Sequence, residues 1–202
     1  MGQYRSEALY VDQGGQLAGV LNTLNSNLRK AKSLMPKDNA LWDWVVAIYQ
    51  REGVAERCLW FQNQRAADVP LMLFICWVVT RCGALDHTLL SRARQAATLW
   101  HKDVVVPLRQ MRRLLKIDSK GMPAEPARRF REEIKSVELQ AERVELAALA
   151  MLVEEAGSVD VDPQALRELM FDGLARYLDG LPFSAGELDH DRLNQLVAAI
   201  NG

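Results

Sequence analysis

An all-α domain wrapped around one buried helix is the expectation from three features of the chain. First, the residues from Val69 to Val79, within DVPLMLFICWVVT, carry no charge, so this stretch cannot be left in water. Second, apolar residues elsewhere recur at spacings of three and four, the period of an amphipathic helix. Third, cap residues stand where such helices begin and end: Asp68 and Gly83 around the apolar run, Asp86 after it, and Asp162 followed by Pro163.

The apolar run is too short for a bilayer, which needs roughly 20 such residues, and no membrane span is expected. A helix apolar all round belongs inside a protein. Asp68 supplies an N-cap oxygen, Pro70 sits in the first turn, where a missing N–H does no harm, and Gly83 ends a helix of about 69–82. A buried strand is the competing reading, on length and β-branching. The chain has 202 residues, 49% hydrophobic and 25% charged, enough for one sizeable core and unlike a disordered segment. With 25 basic and 26 acidic residues the net charge is -1, so any attraction to nucleic acid or an anionic membrane has to come from a local patch. Cys58, Cys76 and Cys82 are an odd number without metal or disulfide spacing, which points to a reducing cytoplasm. The N-terminus lacks the basic start and apolar stretch of a secretory signal. Its Met-Gly-Gln start, with Ser6, meets part of the myristoylation pattern, which needs a eukaryotic transferase.

Taken in order, residues 1–38 read as an amphipathic helical arm, with Leu17, Leu21, Leu24, Leu28, Ala31 and Met35 on one face. Residues 39–156 read as the helical core domain. It opens with two short helices, one carrying Trp42, Val45, Val46 and Tyr49 and closed by Gly53, the next running from about Val54 to Gln64. After the central helix comes a long hairpin, about 86–116 and 125–155. Its first arm carries Leu89, Ala93, Ala96, Trp100, Val104, Leu108, Met111 and Leu115. Its second arm answers with Phe130, Ile134, Val137, Ala141, Val144, Ala148 and Met151, and the two stripes are expected to interdigitate. Pro107 removes a hydrogen bond and is expected to kink or interrupt the first arm near His101 to Val104. Residues 157–202 read as a C-terminal helical appendage: one helix from Pro163 to about Asp179, then another to Ile200 behind a Ser184 and Glu187 capping box.

The stretches LWDWVVAIYQREGVAERCLWFQ, ADVPLMLFICWVV, LWHKDVVVPLRQMRRLLK and EEIKSVELQAERVEL, in that order and spacing, give the chain its most specific likeness. Over about Leu41 to Glu155 it resembles a family of small uncharacterised proteobacterial proteins, a domain of unknown function. The resemblance implies an all-helical cytoplasmic bacterial protein and brings no reaction, cofactor or catalytic residue.

The residues themselves offer three surfaces. Arg109, Arg112, Arg113 and Lys116 form a cationic stripe, either a register seam paired with Glu132, Glu133, Glu138 or Glu142 or a contact for an anion or RNA backbone. Trp42 and Trp44 cannot both face inward on one short helix, and Trp60 beside Phe61 repeats the conflict, which suggests an apolar patch for a partner protein or a second copy. Phe74, Trp77 and Trp100 are candidates to line a pocket for a small apolar ligand, with core packing the plainer reading. No metal site is expected: His87, His101 and His190 are far apart, none has a ligand partner at metal spacing, and each reads as a surface or capping residue. Glu52, Glu56 and Asp68 offer no cluster comparable to the basic stripe, Asp189, His190 and Asp191 cannot chelate together, and no cofactor or catalytic residue is assigned. The function expected is a non-catalytic cytoplasmic interaction module, with a small-ligand binder and an RNA- or ribosome-associated factor as the alternatives.

Overall fold

The computed structural model describes residues 40–117, 120–153, 161–181 and 187–202. The expected arm helix from Gln16 to Met35 and the Ser184 capping box lie outside the described residues. Among those described no strand occurs, and the elements run α1 (Ala40–Tyr49), α2 (Val54–Gln64), α3 (Val69–Cys82), α4 (His87–Trp100), a π turn (His101–Val105), α5 (Val106–Ile117), α6 (Ala124–Ala150), α7 (Pro163–Asp179) and α8 (Glu187–Asn201). No helix among them is long and apolar enough to cross a membrane.

The central helix forms as its local chemistry dictates. The Leu71 N–H donates to Asp68 Oδ1 at 3.2 Å, Pro70 sits in the first turn, and Gly83, at φ +67°, donates its N–H to the Val79 carbonyl at 2.9 Å. Every side chain from Val69 to Val79 is buried, so that stretch of α3 has no outward face. It touches α1, α2, α4, α6 and α7, and burying each large side chain there contributes about 1.5–3 kcal/mol.

The C-terminal helices, read from the sequence as an appendage, lie in the same compact unit as the middle of the chain, Asn39–Gly202. Asp162 caps α7 by accepting from the N–H groups of Gln164 and Ala165 at 3.0 and 3.1 Å. Helix α7 lies directly on α3 with Met170, Leu174, Tyr177 and Leu178 buried. Gly173 permits that approach, because a Cβ there would stand 3.0 Å from Ile75 Cγ2. Helix α8 packs on α7 and α2 and is pinned by buried Asp189, which takes the Arg65 Nε–H at 2.6 Å.

The long first arm is interrupted at the expected place, and the manner of interruption matters. Pro107 has no N–H to give the Asp103 carbonyl, and its ring would strike that carbonyl in a regular helix. The chain widens instead into the π turn, where the Val106 N–H reaches back to the His101 carbonyl. The inward face runs Leu90, Ala93, Ala97, His101, Val105 and Arg109, and on α6 it runs Ile134, Glu138, Ala141, Glu145 and Leu149. From Ala96 onward on the first arm the expected stripe lies one residue short of these positions; on α6 Ile134 and Ala141 face inward as expected, while Val137, Val144 and Ala148 fall one residue short of Glu138, Glu145 and Leu149. The correction turns Trp100 out to 37% exposure, leaves Met111, Phe130 and Val137 exposed, and carries one histidine, one arginine and two glutamates inside. Helix α6 also ends at Ala150, short of the expected 155.

Candidate functional site

The one-residue correction is what builds the site. His101 is presented by the π turn, Asp68 by the N-cap of α3 and Glu145 by the inward face of α6. His101 Nδ1 stands 3.3 Å from Asp68 Oδ2 and 3.7 Å from Glu145 Oε2, and one ligand atom from each of the three residues lies within 4.8 Å of the others. All three residues are buried. Asp68 is held from two further directions: its Oδ1 caps α3, and its backbone N–H donates to Tyr177 Oη on α7 at 2.8 Å.

Next to this cluster lies a second layer of charge. The Arg109 Nε–H donates to Glu138 Oε1 at 3.1 Å and its Nη2–H to Glu142 Oε1 at 2.8 Å. Arg112 reaches Glu138 as well, through Nε to Oε2 and through Nη2 to Oε1 at 3.1 Å. Arg109, whose charge acts on His101 and Glu145, is thus bonded to other carboxylates. His101 Nδ1 has no hydrogen-bond partner, and Glu145 has none besides the facing Asp68 carboxyl.

The electrostatics follow from that arrangement. Burial, with the facing Glu145 carboxyl adding to it, holds Asp68 well above the usual carboxylate range. Glu145 is pushed up to about 7, chiefly by burial and then by the charge of Glu142, against a hydrogen bond with the Asp68 carboxyl and the charge of Arg109. Burial, with Arg109 nearby, lowers His101 despite Asp68 beside it. Two carboxyl groups and an imidazole therefore meet in the buried interior, where the carboxylate form needs a positive partner.

The expectation that His101 is a surface or capping residue is overturned, whereas His87 and His190 are exposed. A search along the chain for ligand spacing misses this cluster because its three members come from three separate elements. A signal was present all the same: Glu138, Glu142 and Glu145 recur at four and three on α6, in step with His101, Arg109 and Arg112 on the facing arm.

The surfaces expected from the sequence are redistributed. Of the basic stripe, Arg109 is buried and Arg112 half-buried in the seam, Arg113 donates to Asn63 Oδ1, and Lys116 is exposed. Of the aromatic patch, Phe61 is fully buried, while Trp42, Trp44 and Trp60 are half-buried. Trp42 and Trp60 lie under different guanidinium groups, Arg143 at 5.0 Å and Arg192 at 5.3 Å. Phe74 and Trp77 pack together in the core with ring centres 6.3 Å apart, and Trp100 sits elsewhere, donating its Nε1–H to the Ala141 carbonyl at 3.0 Å. None of these three lines the apolar groove of about 360 Å³ that opens beside the seam, whose walls include Trp42, Val45, Tyr49, Val69, Leu73 and Leu146.

No curated protein and no solved structure matches the chain. A family profile does match, over residues 40–149, close to the stretch on which the sequence resemblance rests. That span runs from the start of α1 almost to the end of α6 and contains Asp68, His101, Glu145 and the whole charged seam. With more than half of its length inside the match, the chain belongs to the family described as "Protein of unknown function (DUF2390)".

Proposed function

We propose that this chain is a non-catalytic, cytoplasmic protein-interaction module whose docking element is the far half of the α5–α6 hairpin, and that its partner presents an acidic amphipathic helix. The observation that carries this reading is a row of apolar side chains left bare on the hairpin. Met111, Leu114 and Ile117 follow one another at three-residue spacing on α5, Ile117 at 86% exposure, with Met122 and Phe130 exposed beyond the turn. Large exposed apolar patches on a folded domain mark interaction sites, and spacings of three and four suit a helix laid along them. The chemistry of the partner comes from charge: residues 111–135 hold eight basic side chains against four acidic ones in a chain whose net charge is -1. A cytoplasmic setting is supported by three cysteines that remain free thiols. A non-catalytic role is supported by the burial of Asp68 and Glu145, which keeps substrate from them.

Fluorescence anisotropy with a labelled Leu- and Glu-rich helical peptide tests the reading. The full chain is expected to bind it, and Leu114→Ser with Ile117→Ser to weaken binding at least tenfold without loss of fold. Equal binding by that double variant removes the reading. Binding of an RNA oligonucleotide that responds to Arg113→Glu and Lys116→Glu alone replaces it with a nucleic-acid role. Association of the chain with itself, lost in the apolar variant, makes a second copy the partner.

The groove of about 360 Å³ favours a second reading, a small apolar ligand, since its size is that of ligand pockets. Trp42 in its wall reports occupancy, so intrinsic fluorescence unchanged by quinones or fatty acids excludes it.

A further inference from the structure

We propose that Asp68, His101 and Glu145 bind one divalent transition-metal ion of the Zn²⁺ class, clamping the N-terminus of α3, the π turn and α6 to one another. The first argument is geometric. A charge-assisted hydrogen bond between imidazole and carboxylate spans about 2.7–2.9 Å, and the His101 Nδ1 distances, 3.3 and 3.7 Å, are longer. Metal bonds of about 2.0–2.1 Å in tetrahedral geometry set neighbouring ligand atoms roughly 3.3–3.4 Å apart. The first distance has that length already, and the second reaches it with a shift of a few tenths of an ångström.

The second argument is the unmet demand of the donors. The Glu145 side chain is 1% exposed and faces the cluster; apart from the Asp68 carboxyl across from it, no group bonds either of its oxygens, and the facing His101 Nδ1 has no hydrogen bond. Arg109, the cation that would serve them, is bonded to Glu138 and Glu142. Buried polar groups left in this way are uncommon, and an ion is among the standard explanations. The third argument is the support around the ligands. Asp68 is oriented by the Leu71 N–H on its Oδ1 and by Tyr177 at its backbone N–H, the outer bonding that metal ligands require. A π turn presenting a side chain is a recurrent feature of functional sites. One imidazole and two carboxylates suit Zn²⁺ or its first-row neighbours, whereas Mg²⁺ and Ca²⁺ call for more oxygen ligands. A water completes the fourth position.

The site is independent of the hairpin docking reading. The test uses the full chain, stripped with chelator, dialysed, and titrated with Zn²⁺ by calorimetry and with Co²⁺ by visible absorption. One ion per chain is expected, with the intense visible bands of four-coordinate Co²⁺ and a rise in Tm that grows with free metal. Glu145→Gln preserves volume and is expected to weaken binding at least 100-fold while circular dichroism stays helical. His101→Gln, a second variant should the first misfold, is expected to do the same. His87→Ala, His190→Ala and Cys82→Ser, which alter donors outside the cluster, are expected to bind as the parent does. No stoichiometric binding by the parent, or binding undiminished in Glu145→Gln or His101→Gln, overturns the proposal and leaves Asp68 and Glu145 as a pair sharing a proton.

Discussion

Around α3 every side chain from Val69 to Val79 is buried, whereas the buried positions of the α5–α6 hairpin alternate apolar Ile134 and Ala141 with charged Arg109, Glu138 and Glu145. Both regions remove a helix face from water, by opposite means. The apolar helix gains by burial in any orientation that excludes water, so it supplies stability without strongly choosing a register. The charged seam gains little net energy, because removing charges from water offsets most of their attraction. It does discriminate: a slip of the hairpin by one residue would part Arg109 and Arg112 from Glu138 and Glu142 and leave four charges uncompensated. The centre of the molecule makes the fold stable, and the hairpin makes it unique.

Mutation separates these roles. The largest loss is expected from Phe74→Ala, at a position with no exposure in the middle of α3. Removing a buried ring there should cost about 3–5 kcal/mol, read as a drop in the urea midpoint at unchanged slope. Next comes Arg109→Ala, expected to cost about 3 kcal/mol by stranding Glu142 and leaving Glu138 to Arg112 alone. Replacing all three groups together, Arg109→Met with Glu138→Leu and Glu142→Leu, is expected to recover most of that loss. If the single change is silent, or the triple change is as harmful as the single one, the seam is not a register device.

A smaller effect is expected from pH. Burial raises Glu138, but the Arg112 and Arg109 guanidinium groups outweigh it and hold its carboxyl below the usual range. The folded chain then binds this proton less readily than the unfolded one, whose carboxyl titrates near about 4.3. The stabilisation is present above that value and is lost as pH falls through the lower folded value. Glu138→Gln should therefore flatten the acid limb of the stability curve below about pH 4.3, and an unchanged limb would assign acid unfolding to other groups. The smallest change in stability, within about 0.5 kcal/mol, is expected for Ile117→Ser, which touches neither the apolar centre nor the seam.

The central helix was legible residue by residue, since Asp68, Pro70 and Gly83 act on backbone within a few positions of themselves. The interruption at Pro107 was legible for the same reason. The faces of the hairpin arms were not. Hydrophobic periodicity assigns the inward side to the most apolar stripe, and here the most apolar stripe lies beside the buried one. His101, Arg109, Glu138 and Glu145 are affordable inside only because each meets another of them, or Asp68, across a helix boundary.

Helix positions, caps, the buried centre and the place of the break follow from the order of residues, because each rests on bonds and burial acting over a turn or two of backbone. Which way the two long arms face, that three acids and bases converge at the head of α3, and that the end of the hairpin stays bare were settled by packing. Those outcomes depend on charges separated by 33 to 77 positions being brought within a few ångströms, and electrostatic pairing across such gaps leaves no local period to read.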